Sequence, residues 1–139
     1  MSKIEDCPFC QLGPRVLREN ENANLFLSDP RKVKGHFLVT PKRHVEAPWE
    51  LNEEELKNIF ELVFLVQEKL TKEFGGSDLK QNCRPFMKQG RIKVDHVHYH
   101  VYPRSMEDEL YQRVERFETE LFSALTEDER KAMIELLER

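Results

Sequence analysis

The chain has 139 residues, with 22 Lys and Arg against 26 Asp and Glu, a net charge of −4, and 39% apolar residues. That size reads as one domain built on its own hydrophobic core. The mildly acidic balance argues against long nucleic acid as a ligand, which calls for a basic stripe and a high pI, and the longest apolar run, residues 59–66, is broken by Glu61 and is too short to cross a membrane.

The charge is uneven. Residues 107–139 carry 5 Lys and Arg against 11 Asp and Glu, a net of −6, which leaves +2 on residues 1–106. Arg31, Lys32, Lys34, Lys42, Arg43, Arg84, Lys88, Arg91 and Lys93 all lie in that first part. The bias suits a small anionic ligand held in the body of the domain. Residues 2–6 are polar and charged, so no signal peptide is expected, and a cytoplasmic protein is. Three cysteines, two of them only three positions apart, do not make a secreted disulfide framework.

In chain order, residues 16–18 and 25–27 are apolar segments around a polar 19–22, with Asn20 and Asn22 as turn residues, and predict a β-hairpin. Ser28-Asp29-Pro30 ends it. Lys34-Gly35 leads into a short buried strand over 37–40, closed by Pro41. Residues 52–74 give the clearest helix. Asn52 is the N-cap, Glu55 the capping-box partner, Leu56, Ile59, Phe60, Val63, Val66, Leu70 and Phe74 the apolar stripe, and Gly75-Gly76 the stop. Residues 79–87 read as a further strand weakened by Pro85. A last strand is expected over 92–102, ended by Pro103. Leu110, Tyr111, Val114, Phe117, Leu121 and Phe122 then space as one amphipathic helix, and Thr126 with Glu129 opens a final one. The expected fold class is α+β: a mostly antiparallel sheet with one long helix packed on it, then a helical tail. Residues 1–106 form the domain, and residues 107–139 an extension packed on it.

The chemistry concentrates in His96-Val97-His98-Tyr99-His100. On a strand, side chains alternate faces, so the three imidazoles project together while Val97, Tyr99 and Val101 pack behind. Imidazole titrates near neutral pH, attacks phosphorus as a neutral nucleophile, and ligates zinc. Cys7-Pro8-Phe9-Cys10 is a second constellation: half a zinc site, a redox pair, or a coincidence. No thioredoxin-like βαβ pattern surrounds it. Cys83 has no cysteine or histidine near it and reads as a buried thiol.

The alternating histidines, Gly35-His36-Phe37-Leu38-Val39-Thr40-Pro41-Lys42-Arg43-His44 upstream and Tyr102-Pro103-Arg104 downstream together resemble the histidine-triad (HIT) family over roughly residues 7–104. The resemblance implies a HIT-like fold, a two-fold homodimer, and an enzyme acting at a nucleotide α-phosphate. It implies that His98 is the nucleophile, that His100 binds an oxygen or assists proton transfer, and that His36 supports the triad. For His36 a core imidazole bonded to backbone stays open beside this. Asp29 sits where the family bonds the ribose hydroxyls, and a plain turn role before Pro30 is equally open. In zinc-containing members the cysteine pair is completed by two histidines, here His44 and His96, which implies a closed structural Cys7–Cys10–His44–His96 zinc site.

One departure stands out. Many members carry a Gly-Gln-Ser/Thr phosphate turn just before the triad, where this chain has Arg91-Ile92-Lys93. Gln89-Gly90 lies two positions early and is a substitute after a local shift; Arg91 or Lys93 is another, by charge. A solvated strand edge is the plainer reading, favoured for Lys93. Among branches, the Trp- and Pro-rich C-terminus of Hint proteins is absent, and the helical tail is closer to the fragile-histidine-triad branch. That favours dinucleoside polyphosphate hydrolysis over a Hint-type nucleoside phosphoramidase. The altered turn keeps a third reading in play, a zinc-stabilised nucleotide-binding module with little catalysis.

Overall fold

In the computed structural model, residues 5–90 and 92–139 are described. The chain divides into two compact units, one ending at Asp108 and the other spanning Glu109–Arg139. The first holds five strands and one long helix. Strands β1 (Val16–Glu19), β2 (Ala23–Leu27), β3 (Phe37–Pro41), β4 (Ser77–Lys80) and β5 (Tyr99–Pro103) form one antiparallel sheet in the order β1-β2-β3-β5-β4.

The hairpin forms where the sequence predicts it. Asn20 Oδ1 accepts from the Asn22 and Ala23 amides at 3.3 and 2.9 Å, so the side chain stands in for a backbone turn. Asn20 and Asn22 then donate to the Asn58 carbonyl and side chain at 2.8 and 2.6 Å, which ties the turn to the helix. That helix, α1, runs Glu53–Phe74. Asn52 caps the Glu55 amide, Glu55 caps back onto the Asn52 amide, and Gly75 takes the left-handed conformation, φ +97°, that ends the helix.

Alternation gives the sheet two different faces. Leu25, Val39, Tyr99 and Val101 join Ile59, Leu62, Val63 and Val66 of α1 in one buried cluster. Phe26 and Leu38 point the other way and meet Cys7, Phe9 and Leu12 of the N-terminal segment in a second. The histidines belong to this second face. Gly35 delivers the chain into β3 at φ +80°, and a Cβ there would meet the Pro103 ring at 3.0 Å, so the position needs glycine twice over.

Four expectations are corrected. The strand expected over 79–87 is β4, Ser77–Lys80, which pairs with β5 from Ser77 opposite Pro103 to Lys80 opposite His100. The triad segment enters the ladder only at Tyr99. Continuing the register would set residue 97 opposite Pro41, which has no N–H to give, and the Val97 amide bonds the Val45 carbonyl instead, at 2.7 Å. The single helix expected over 110–122 is broken into α2 (Glu109–Arg113) and a 3-10 stretch, Glu115–Leu121. Neither contains a buried residue, so β-branched and aromatic positions with weak helix propensity decide the conformation. The capped helix α3 (Glu127–Leu137) forms as expected. Lastly, Cys83 is exposed, not a buried thiol, because residues 81–90 leave the sheet.

Glu55 carries more than its cap. It is buried, and Arg43 grips both of its oxygens at 2.8 Å, holding its carboxyl below the usual range. Glu55→Ala removes a reciprocal cap and orphans Arg43, so a loss of about 2–3 kcal/mol is expected in denaturant unfolding. A loss under half a kcal/mol, about the size of a neutral surface change, would contradict this account of the helix start.

Candidate active site and metal centre

The Cys7–Cys10 segment, the loop after β3 and the start of the triad converge. Cys7 Sγ lies 3.4 Å from His96 Nδ1; Cys10 Sγ lies 3.3 Å from His44 Nδ1 and 3.6 Å from His96 Nδ1. All four candidate ligand atoms fall within 4.8 Å of one another. Sulfur at about 2.3 Å and nitrogen at about 2.0–2.1 Å from a tetrahedral ion stand roughly this far apart. The far side of each ring is also prepared: His96 Nε2 donates to the Pro41 carbonyl at 2.8 Å and His44 Nε2 to Glu46 at 2.9 Å. Those bonds place the proton on Nε2 and leave Nδ1 a free lone pair facing the sulfurs. Burial pushes the Cys7 thiol up to about 11 and holds His96 down near 4. A thiolate there needs a cation beside it, and a neutral imidazole is what a metal binds. The residues present therefore fit a closed tetrahedral metal ion.

The same reasoning fixes the other rings. His98 Nδ1 lies 2.7 Å from the His96 carbonyl, which only accepts, so Nδ1 carries the proton and Nε2 the lone pair. The Lys32 amide donates to His36 Nδ1 at 3.0 Å, so neutral His36 carries its proton on Nε2 and donates to His100 Nδ1 at 2.8 Å. His100 is left with an Nε2–H donor. Burial is the main cause that lowers all three, to about 4 for His36 and about 3 for His100, so all are neutral at pH 7. A lone-pair nitrogen and an N–H donor thus stand side by side, ring centroids 4.9 Å apart.

His36, His98 and His100 line a cleft of about 530 Å³. Asp29 lines it too, as do Ser28, Arg31 and Lys32 from the loop after β2. Gly90 and Ile92 close the wall before the triad. Gln89 is not part of that wall: its side-chain oxygen accepts from the Asp95 amide at 2.9 Å and shapes the pre-triad loop. Arg91 lies outside the described residues. Lys93 is partly buried and pairs with Asp95, and its charge is felt by His98, so it is not a freely solvated edge residue. Sequence reasoning missed two contributors. Phe9, between the two cysteines, packs edge-on to His98 at 5.2 Å. Arg15 reaches the cleft from just before β1. The Cys-x-x-Cys spacing drew attention away from the residue inside it, and nothing local marks Arg15.

A cleft lined by uncharged imidazoles beside a Cys2His2 cluster that fits a metal ion, on a five-stranded antiparallel sheet, defines a small α+β protein whose cleft suits phosphate chemistry. The HIT domain model matches residues 12–107, and the chain belongs to the HIT family. It is 36% identical over 110 residues to an adenosine 5'-monophosphoramidase of Schizosaccharomyces pombe, covering 73% of this chain and 77% of that one. It is 32% identical over 127 residues to the asymmetrical bis(5'-nucleosyl)-tetraphosphatase of the same organism, covering 87% and 69%. A HIT family crystal structure from Bacillus subtilis superposes with a TM-score of 0.69 at 25% identity, covering 96% of this chain and 95% of that one.

The neutral histidines set an acid limit. The folded His36 and His100 titrate near 4 and 3, below the ordinary 6.5 of the unfolded chain. Between those values the unfolded state binds more protons, so stability falls as pH drops below about 6.5. Denaturant midpoints taken across that range should fall with pH, and His36→Gln should flatten the slope. A slope unchanged by His36→Gln would contradict the assignment.

Proposed function

We propose that the protein is a nucleotide hydrolase or transferase that cleaves at an α-phosphate through a nucleotidyl–histidine intermediate on His98. The observation that carries this is the tautomer of His98: with Nδ1–H spent on the His96 carbonyl, Nε2 keeps a lone pair at the cleft. In the reaction, Nε2 attacks the α-phosphorus, a P–N bond forms, and the bond to the leaving group breaks with its electrons on that group, which takes a proton from solvent. Water then cleaves the P–N bond and releases the nucleoside monophosphate. His100 Nε2–H donates to a phosphoryl oxygen, and the Lys32–His36–His100 chain holds that proton in place. Asp29, on the cleft wall, accepts from the ribose hydroxyls.

Dinucleoside polyphosphates are the favoured substrates, since one relative is named for their hydrolysis. Nucleoside phosphoramidates are the second reading, on the strength of the other. The metal is zinc: two thiolates and two imidazoles in a closed set suit it. Bound, it supplies folding energy and no open position for chemistry. A homodimer completes the reading and rests on the sequence resemblance.

Purified protein should contain about one zinc per chain, and Cys7→Ser should lose it together with much of the stability. Metal analysis finding none in protein prepared without chelator would overturn the zinc assignment. His98→Ala should abolish turnover and the covalent adduct, seen by mass spectrometry after brief mixing with substrate, while zinc content stays intact. His100→Ala should slow the reaction by about 10²–10⁴-fold and still form the adduct. Turnover that survives His98→Ala overturns the mechanism through His98, and wild-type protein that binds nucleotide without turnover or adduct returns the protein to a binding module.

A further inference from the structure

The sheet register gives the cleft a direction. His100 on β5 faces Leu38 on β3, Leu38 faces Phe26 on β2, and Phe26 faces Val16 on β1. Three strand spacings of about 4.8 Å put the start of β1 roughly 14 Å from the reacting histidines. Arg15, which lines the cleft, immediately precedes Val16. Asp29, two residues past the end of β2, lies between the two ends in strand order. With the phosphate at His98 and the ribose at Asp29, the span is filled by the base, and the base meets Arg15.

Arg15 is held, not loose. Its guanidinium lies 5.1 Å over the Phe26 ring and donates one bond, at 3.1 Å, to the Leu27 carbonyl. Phe26 in turn is fully buried against Phe9, ring centroids 5.3 Å apart. A guanidinium has five N–H donors and no acceptor. Among the described residues only the Leu27 carbonyl takes one of them. What Arg15 offers a base edge is therefore a fork of donors in a fixed plane.

We infer that Arg15 is a specificity-determining residue that selects 6-oxopurine nucleotides over adenine nucleotides. Guanine and hypoxanthine present two adjacent acceptors, O6 and N7, which match the fork. Adenine presents N7 beside an N6 amino donor, which opposes it. Pyrimidines lack the second ring that completes the span. The inference rests on the proposed nucleotide site and adds the base to it.

The test is calorimetric titration of the zinc-loaded protein with GMP, IMP and AMP, in wild type, Arg15→Ala and Arg15→Gln. GMP and IMP should bind wild type at least about tenfold more tightly than AMP. Both Arg15 variants should bring the three affinities together, chiefly by weakening GMP and IMP. Asp29→Ala should weaken all three by a common factor and keep the ratio. A role of Arg15 in folding alone would lower the melting temperature without moving the ratio. AMP binding as tightly as GMP, or a GMP preference that survives both Arg15 variants, overturns the inference and leaves the nucleotide site standing. No binding of any of the three, with the protein folded and metal-loaded, overturns both.

Discussion

His96 is the residue through which the two centres are joined. Its Nδ1 faces both cysteines, its Nε2 is fixed by the Pro41 carbonyl, and its own carbonyl accepts from His98 Nδ1. One side chain and its backbone oxygen therefore tie the candidate metal ligands, the end of β3 and the tautomer of the next histidine into one path. Were the His96 carbonyl turned away, His98 would lose the acceptor that keeps its proton on Nδ1 and its lone pair on Nε2. The cysteine segment reinforces the path from the other side, since Phe9, held between the two ligands, packs edge-on to His98 and to Phe26. In this arrangement the Cys2His2 cluster and His98 share a backbone, so order in one is order in the other.

Burial gives the imidazoles their character. A solvated histidine is partly protonated near neutral pH, and the protonated ring has no lone pair to use. Here the rings sit on the second face of a sheet whose first face is sealed by α1, with the Cys7–Leu12 segment covering part of what remains. Desolvation favours the uncharged ring in each case. What then distinguishes His98 from His100 is only the hydrogen bond each makes on Nδ1: His98 donates to a carbonyl, His100 accepts from His36. Identical side chains acquire opposite tautomers from their partners, which is why the backbone amide of Lys32, on the loop after β2, belongs to the site.

Much of this was legible in the residues. Helix α1 could be read to its ends because cap, stripe and stop all agree, and the Asn20–Asn22 turn because the side chains themselves make it. The four metal-ligand candidates were legible through resemblance, and the structure brings them together. What was not legible depends on pairing between distant segments. That β4 begins at Ser77 is decided by where β5 ends. That residues 96–98 leave the ladder follows from Pro41, more than fifty positions upstream. Arg15 is silent in the sequence because its neighbours give no motif; only the register across four strands shows how far it stands from His100.

The pre-triad segment shows how a site keeps its geometry while its chemistry changes. The hydroxyl and amide of the common family turn are absent, yet the loop is still closed. The Gly90 amide bonds the Lys93 carbonyl at 2.9 Å, and Gln89 reaches over to the Asp95 amide. Lys93 and Asp95 then form an ion pair beside His98. A neutral donor turn offers a phosphate hydrogen bonds with little dependence on charge. An ion pair offers a cation already compensated, so its pull on an anion is weaker than that of a free lysine and depends on how far the carboxylate stands off. The positive end still acts on His98, where it adds to burial in disfavouring the protonated ring. Lys93 thus adds, after burial, to what disfavours the charged His98 ring, while the His96 carbonyl still takes the His98 Nδ1 proton.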